Sequence, residues 1–272
     1  MTARQWVAAV PATLVLLLAL TGPWLVGGST STPVGGPFQP PESGIPLGTD
    51  VLGRDVLARV LAGGRTLVLQ AAAATVLGSV IGMCVGVWAG MTHHARTSGA
   101  VLRVVDGIAA VPALLLLLLL AAGLPGNDTV VAVAIAAVSV PFSVRVIRER
   151  THTLATTDYA RDAEARGEPW TARVRFDILP GLIPAALAEA GIRFVAATQL
   201  AATAGFLGLG AGAPAANWGR MVRENSTGLQ TNALPVLVPA VLLVALAIGV
   251  TALLDRAAET RVGGLGPIGR LA

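Results

Sequence analysis

Lysine is absent from this sequence, and all 19 basic residues are arginine. A G-x-x-x-x-G-K-[ST] phosphate loop is therefore impossible, and any ATP this chain depends on must be handled by another polypeptide. Cysteine occurs once, as Cys84 within an apolar run, which excludes an intrachain disulfide and predicts a small core-packing residue. Aromatic residues make up 4% of the chain. The arginines lie at the ends of apolar runs with no aromatics interleaved to stack on bases, so a sequence pI of about 10.8 does not signal a nucleic-acid partner. His93 and His94 are adjacent, so they do not share a helical face, and no Cys or carboxylate cluster accompanies them. They read as a basic turn, not a metal site.

What is present is apolar. Hydrophobic residues make up 54% of the 272 positions and the mean hydropathy is +0.73, values that define an integral membrane protein. The apolar runs are continuous and rich in Leu, Ala and Val, whereas barrel strands would alternate, so the fold class is all-α. About six spans are expected, at roughly Trp6–Val26, Thr66–Gly90, Val105–Gly123, Thr129–Ile147, Gly181–Ala204 and Leu234–Leu254. The first is read as a retained helix, because its apolar stretch is long and no Ala-x-Ala site follows.

Arginine placement sets the expected orientation. With a cytoplasmic N-terminus, the inside segments carry Arg4, Arg96, Arg103, the group from Arg145 to Arg175, and Arg256, Arg261 and Arg270. The outside segments carry Arg54, Arg59, Arg65, Arg220 and Arg223, so both termini are expected in the cytoplasm. Residues 1–65 would hold the first span, a proline-rich extracytoplasmic loop in extended conformation and an interfacial helix at VLGRDVLARVLAGG. Residues 66–272 would form the core, with five spans and a cytoplasmic loop at about 156–180. In Gly205–Ala233 the glycines and Pro214 break the fifth span, and Trp218 is expected to anchor at the interface.

Charge makes up 12% of the chain yet crowds into DYARDAEARGEPWTARVRFDILPGLIP, Asp158–Pro184. A short charged helix stopped by Gly167 and Pro169 fits a solvated connection or a docking site for a soluble partner, with Leu179 and Pro180 fixing the start of the next span. Within the spans, Glu189 and Arg193 are four apart and can pair along one helical face, either as a structural ion pair or as a pair lining a pathway. Arg103 and Asp106 lie near a membrane boundary, where snorkelling and pairing suffice.

The Asp158–Pro184 stretch resembles the cytoplasmic EAA loop of ABC-importer permeases. Ala163, Gly167, Leu179 and Pro180 match its pattern, with Arg161 and Asp162 in the places of the Glu and first Ala. LGTDVLGRD (Leu47–Asp55) is similar to a hallmark of the C-type permease subunit of dipeptide, oligopeptide and nickel importers. RVVDGIAAVP (Arg103, Asp106, Pro112) and FLGLG…NWGRM (Phe206 to Met221) resemble stretches of the same subunit in the same order. Many peptide-type relatives carry a glutamate five residues before this Phe, where this chain has Ala201.

The resemblance implies a type I ABC-importer permease fold in a bacterial inner membrane. It implies a homologous B-type permease, two nucleotide-binding ATPase domains that bind ATP and Mg, and an extracytoplasmic substrate-binding protein as partners, with no cofactor in this chain. It assigns ATPase coupling to Asp162, Ala163, Glu164, Arg166, Gly167, Leu179 and Pro180. Glu189, Arg193, Phe206 and Trp218 are the candidates for pathway or gate. Peptide is the implied cargo and nickel or a nickel chelate the alternative; a membrane scaffold or channel without an ATPase is the alternative of another class.

Overall fold

Backbone amides and carbonyls in hydrocarbon must pair within their own segment, and the long apolar runs accordingly become helices. A computed structural model describes residues 3–92, 95–212 and 215–264, with side chains described over 13–92, 96–212 and 215–252. The helices are α1 (Ala3–Leu25), α2 (Val56–Met91), α3 (Ala95–Ala110), α4 (Ala113–Ala122), α5 (Asp128–Ala155), α6 (Asp158–Ala165), the single turn α7 (Trp170–Ala172), α8 (Leu179–Leu207), α9 (Trp218–Asn225) and α10 (Leu234–Gly264). Among the described residues the only β pairings are isolated bridges in the 33–55 segment. The pair His93–His94 and Pro214 lie outside the described residues, as do the side chains of Arg4, Arg256, Arg261 and Arg270.

Among the described residues, four helical stretches are long and apolar enough to cross a membrane: Val56–Met91, Asp128–Ala155, Trp170–Leu207 and Leu234–Ala252. A fifth is the bent pair of α3 and α4, and Thr13–Leu25 is the apolar part of α1. Two expectations are corrected. The segment expected to lie at the interface as a separate helix is instead the first turns of α2, a single helix of 36 residues or about 54 Å. The boundary drawn at 65/66 thus falls inside a helix, because Gly63 and Gly64 remain helical when Trp218 packs over them. The straight span expected at Val105–Gly123 is broken, with α3 and α4 meeting at 90°. Pro112 is the cause: it has no N–H to give, its ring excludes a helical carbonyl behind it, and Val111 closes the preceding turn onto Ile108.

The bundle is centred on α2 and α5, which form its most extensive helix pair and run parallel. Gly78, Gly82, Gly86 and Gly90 repeat every four residues on α2 and face Ser139, Ser143, Ile147 and Thr151, which repeat with the same spacing on α5. A Cβ at Gly82 would lie 2.4 Å from Ser143 Cβ, and one at Gly86 2.8 Å from Ile147 Cβ. Helices in lipid gain no hydrophobic drive from meeting each other, so this closeness supplies the dispersion contacts that hold them. Apolar clusters flank the ladder, one around Leu67, Ile135, Ala201, Trp218 and Leu246, the other around Val87, Ile147, Ile178 and Leu182. Cys84 is exposed on α2, not packed in the core as its apolar run suggested, because the glycine face of that helix takes the contact with α5.

Candidate coupling loop and transport elements

At one end of the bundle α6, α7 and the residues leading into α8 form a hairpin. Arg166 caps α6, and Gly167 follows at φ +75°. The Gly167 N–H donates to the Glu164 carbonyl at 2.9 Å and the Glu168 N–H to the Ala163 carbonyl at 3.1 Å, the two bonds of a Schellman cap. Arg173 Nη2 donates to Glu164 Oε2 at 2.8 Å, and the Tyr159 hydroxyl donates to the Asp177 carbonyl at 3.2 Å, tying both arms together.

Ala160 and Ala163 form the buried side of α6, while Arg161, Asp162, Arg166 and Gly167 are exposed. Ala163, grouped by resemblance with the coupling residues, therefore faces its own chain at 1% exposure and seats the helix. Arg166 Nη2 donates to Glu168 Oε1 at 2.7 Å, and this bond pushes the guanidinium pKa up from its ordinary value. Arg166 thus carries a permanent positive charge on the loop surface.

Between α7 and α8 the chain runs as a π-helix, Arg173–Ile178, and the Leu179 N–H reaches back to the Val174 carbonyl. Pro180, the next residue, has no N–H to donate, and its ring would collide with a carbonyl held in α register, so the wider turn accommodates it. Leu179 and Pro180 thus mark the junction of the hairpin with α8. No helix or strand periodicity announces a π segment, and sequence reasoning missed it.

Glu189 and Arg193 lie in α8 as the i, i+4 spacing predicts. Arg193 Nε is 2.9 Å from Glu189 Oε1, the Ser143 hydroxyl donates to the same oxygen at 3.2 Å, and the guanidinium sits over the Phe142 ring at 5.0 Å. Glu189 is 6% exposed and borders a cavity of about 240 Å³ between α2, α5 and α8, walled by Ser79, Met83, Cys84 and Ile147. The pair is thus held within the bundle, with Glu189 at the edge of open space. Asp106 pairs with Arg145 of α5 at 2.6 Å, an exposed bond that ties α3 to α5.

At the other end of the bundle the two gate candidates separate. Phe206 is 46% exposed, whereas Trp218 is fully buried, with its indole N–H donating to the Val60 carbonyl at 2.7 Å. Gly63 and Gly64 leave room for that ring: a Cβ on Gly64 would lie 2.5 Å from it. Trp218 is therefore packed inside the chain and is not the interfacial anchor expected of it. The proline-rich segment is folded into turns, not extended. Thr49 Oγ1 donates to the Gly36 carbonyl at 2.6 Å, Asn232 Nδ2 to the Gln39 carbonyl at 2.9 Å, and the Val51 N–H to Asn225 Oδ1 at 2.9 Å. Arg54, Arg59 and Arg220 are also buried there, at 2%, 1% and 4% exposure. Sequence reasoning counted these arginines only for orientation, although LGTDVLGRD had singled out the segment.

A bundle of long apolar helices, with a charged hairpin at one end leading directly into one of them, defines a multi-span integral membrane protein with a polar surface outside the spans. Residues 82–262 match the family described as binding-protein-dependent transport system inner membrane component, and the chain belongs to that family. It is 32% identical over 219 residues to the probable D,D-dipeptide transport system permease protein DdpC of Escherichia coli (strain K12), covering 79% of this chain and 72% of that one. It is 33% identical to the di/tripeptide transport system permease protein DppC of Pseudomonas aeruginosa (strain UCBPP-PA14), covering 77% and 71%. Among solved structures, a chain of the MetNI methionine ABC transporter in an inward-facing conformation superimposes with a TM-score of 0.62 at 20% identity, over 74% of this chain and 95% of that chain. That likeness is one of fold.

Proposed function

We propose that this chain is the C-type permease subunit of a peptide importer and forms half of the translocation pathway against a homologous B-type permease. Both termini and the 156–180 loop face the cytoplasm, and separate ATPase subunits bind ATP and Mg and carry out the hydrolysis. Peptide as cargo is supported by the relatives, whose names specify dipeptide and di/tripeptide transport.

The observation that carries the reading is the build of the hairpin. Its inward side is closed by Ala160, Ala163 and the Schellman cap, so the exposed Arg161, Asp162 and Arg166 form a preorganised surface for a soluble partner. ATP-driven closure of the ATPases would displace this surface. The hairpin continues through the π segment into α8, 29 residues or about 44 Å long, which ends beside α9. Displacement at the hairpin thus reaches the far end of the bundle through one helix, and rocking of that helix against its neighbours alternates access to the pathway.

The test is copurification of the permease with its ATPases, together with uptake of alanine di- and tripeptides by cells expressing the complete system. Arg161→Glu combined with Arg166→Glu is expected to leave the permease inserted, strip off the ATPases and abolish uptake. Retention of ATPases and uptake at wild-type levels would remove the hairpin from the coupling role.

A further inference from the structure

Four charges are gathered at the extracytoplasmic end of α2, far from the coupling hairpin and from Glu189. Arg54 Nε donates to Asp50 Oδ2 at 2.7 Å, and Arg59 Nη1 lies 3.1 Å from the same oxygen. Arg59 Nη2 and Arg54 Nη2 reach Glu224 Oε2 at 3.1 and 3.4 Å. The result is a closed ring of alternating sign, Asp50, Arg54, Glu224, Arg59. Three members are almost completely buried, and only the Glu224 side chain, 20% exposed, reaches the surface. The other Asp50 oxygen, Oδ1, accepts the backbone N–H groups of Leu52 and Arg54, both at 2.9 Å.

Three of the ring's members come from residues 50–59 and the fourth from α9. An eight-residue helix is too short to hold itself, so its place depends on what grips it. On one side are the ring, Asn225 and Trp218. On the other, α9 grips the end of α8: a Cβ on Gly219 would strike the Ala202 carbonyl, and one on Gly208 would strike the Arg223 guanidinium. Buried ion pairs are poor stabilisers compared with apolar packing, and their established use is to select one geometry over others. A four-member ring spanning two distant segments does this more strictly than one pair, because moving α9 breaks two contacts at once.

We propose that this ring is a latch that makes residues 47–59, α9 and the extracytoplasmic end of α8 one body. Asp50, Arg54, Arg59 and Glu224 are then positioning residues for transport, setting the outer mouth relative to the helix that carries the coupling hairpin. The latch follows from the ring itself, and its bearing on transport rests on the importer reading.

Hydrogen exchange on the permease copurified with its partner subunits in nanodiscs tests it. Asp50 also holds two backbone amides, and Asp50→Asn risks unfolding the segment, so Glu224→Gln is the informative variant. Amides of 47–59 and of 218–225 are expected to exchange about tenfold faster together, with α5 unchanged. Glu224→Asp should return both to within about threefold of wild type, which loss of a generic packing contact would not predict. Faster exchange in only one segment, or in neither, overturns the latch. Uptake of alanine di- and tripeptides by cells expressing the complete system is expected to fall about tenfold in Glu224→Gln, with ATPase copurification intact. A joint rise in exchange with normal uptake would overturn the role in transport and leave the importer reading standing. Absence of uptake in the wild type would overturn the peptide-importer reading, while exchange would still report on the latch.

Discussion

Gly167 offers a clean perturbation, because its backbone is constrained and its surroundings are empty. At φ +75° it occupies the left-handed region, and a Cβ built there meets nothing within 4 Å. A substitution at 167 therefore acts through backbone conformation alone. Valine is disfavoured in that region by about 1–2 kcal/mol, whereas asparagine tolerates it. The cap it would disturb consists of two backbone hydrogen bonds, each worth about 0.5–1.5 kcal/mol net. The strain is thus comparable to the stability of the cap, and Gly167→Val should lower the fraction of hairpins in the docked shape by about 5–30-fold. ATPase copurification and peptide uptake should fall in the order Gly, Asn, Ala, Val, while membrane insertion stays normal because no apolar run is touched. A valine variant that couples like wild type, or an asparagine variant as damaged as valine, would refute the reasoning.

The remaining predictions concern the spans. Gly82→Val should reduce the yield of folded permease, since even the first carbon added falls 2.4 Å from Ser143 Cβ and overpacking costs about 1–3 kcal/mol; Ser143→Gly should partly restore it, and a wild-type melting temperature in Gly82→Val would show that the ladder is not tight. Glu189→Ala and Arg193→Ala should each impair assembly, by up to about 3–5 kcal/mol, and the double change should recover part of it. A double mutant that assembles but takes up no peptide would assign the pair to the pathway, and normal behaviour of all three would dismiss both roles. For orientation, a Cys84→Ser background removes the exposed native thiol. In intact cells, impermeant thiol reagent should label a cysteine at the exposed Ser43 and not one at the exposed Thr156; labelling at 156 would invert the topology. Asn225 is completely buried and is unsuitable as a probe.

Several elements follow from the sequence alone. Long Leu, Ala and Val runs have one way to satisfy their backbone in lipid, so all-α architecture and most of the spans follow from local composition. Gly167 after a short charged helix and Pro180 thirteen residues later mark the hairpin in sequence, because a helix stop is a local property of the backbone. The pairing of Glu189 with Arg193 follows from helical spacing. The four-residue repeat of Gly78, Gly82, Gly86 and Gly90 stands in the sequence but went unread, and its partner face on α5 appears only in the fold.

Tertiary structure decided the rest. Whether Trp218 lies at an interface or in a core depends on Gly63 and Gly64, about 155 residues away, leaving space for its ring. Whether Arg54 and Arg59 are loose outer charges or members of a buried ring depends on Glu224 arriving from α9. The inward burial of Ala160 and Ala163 is likewise decided by α5 and the opposite arm of the hairpin meeting α6. Backbone pairing and helix stops are settled within a few residues of chain, so the sequence by itself determined them. Burial and charge compensation are properties of pairs that meet only when distant segments fold together, and no local pattern specifies which pairs those are.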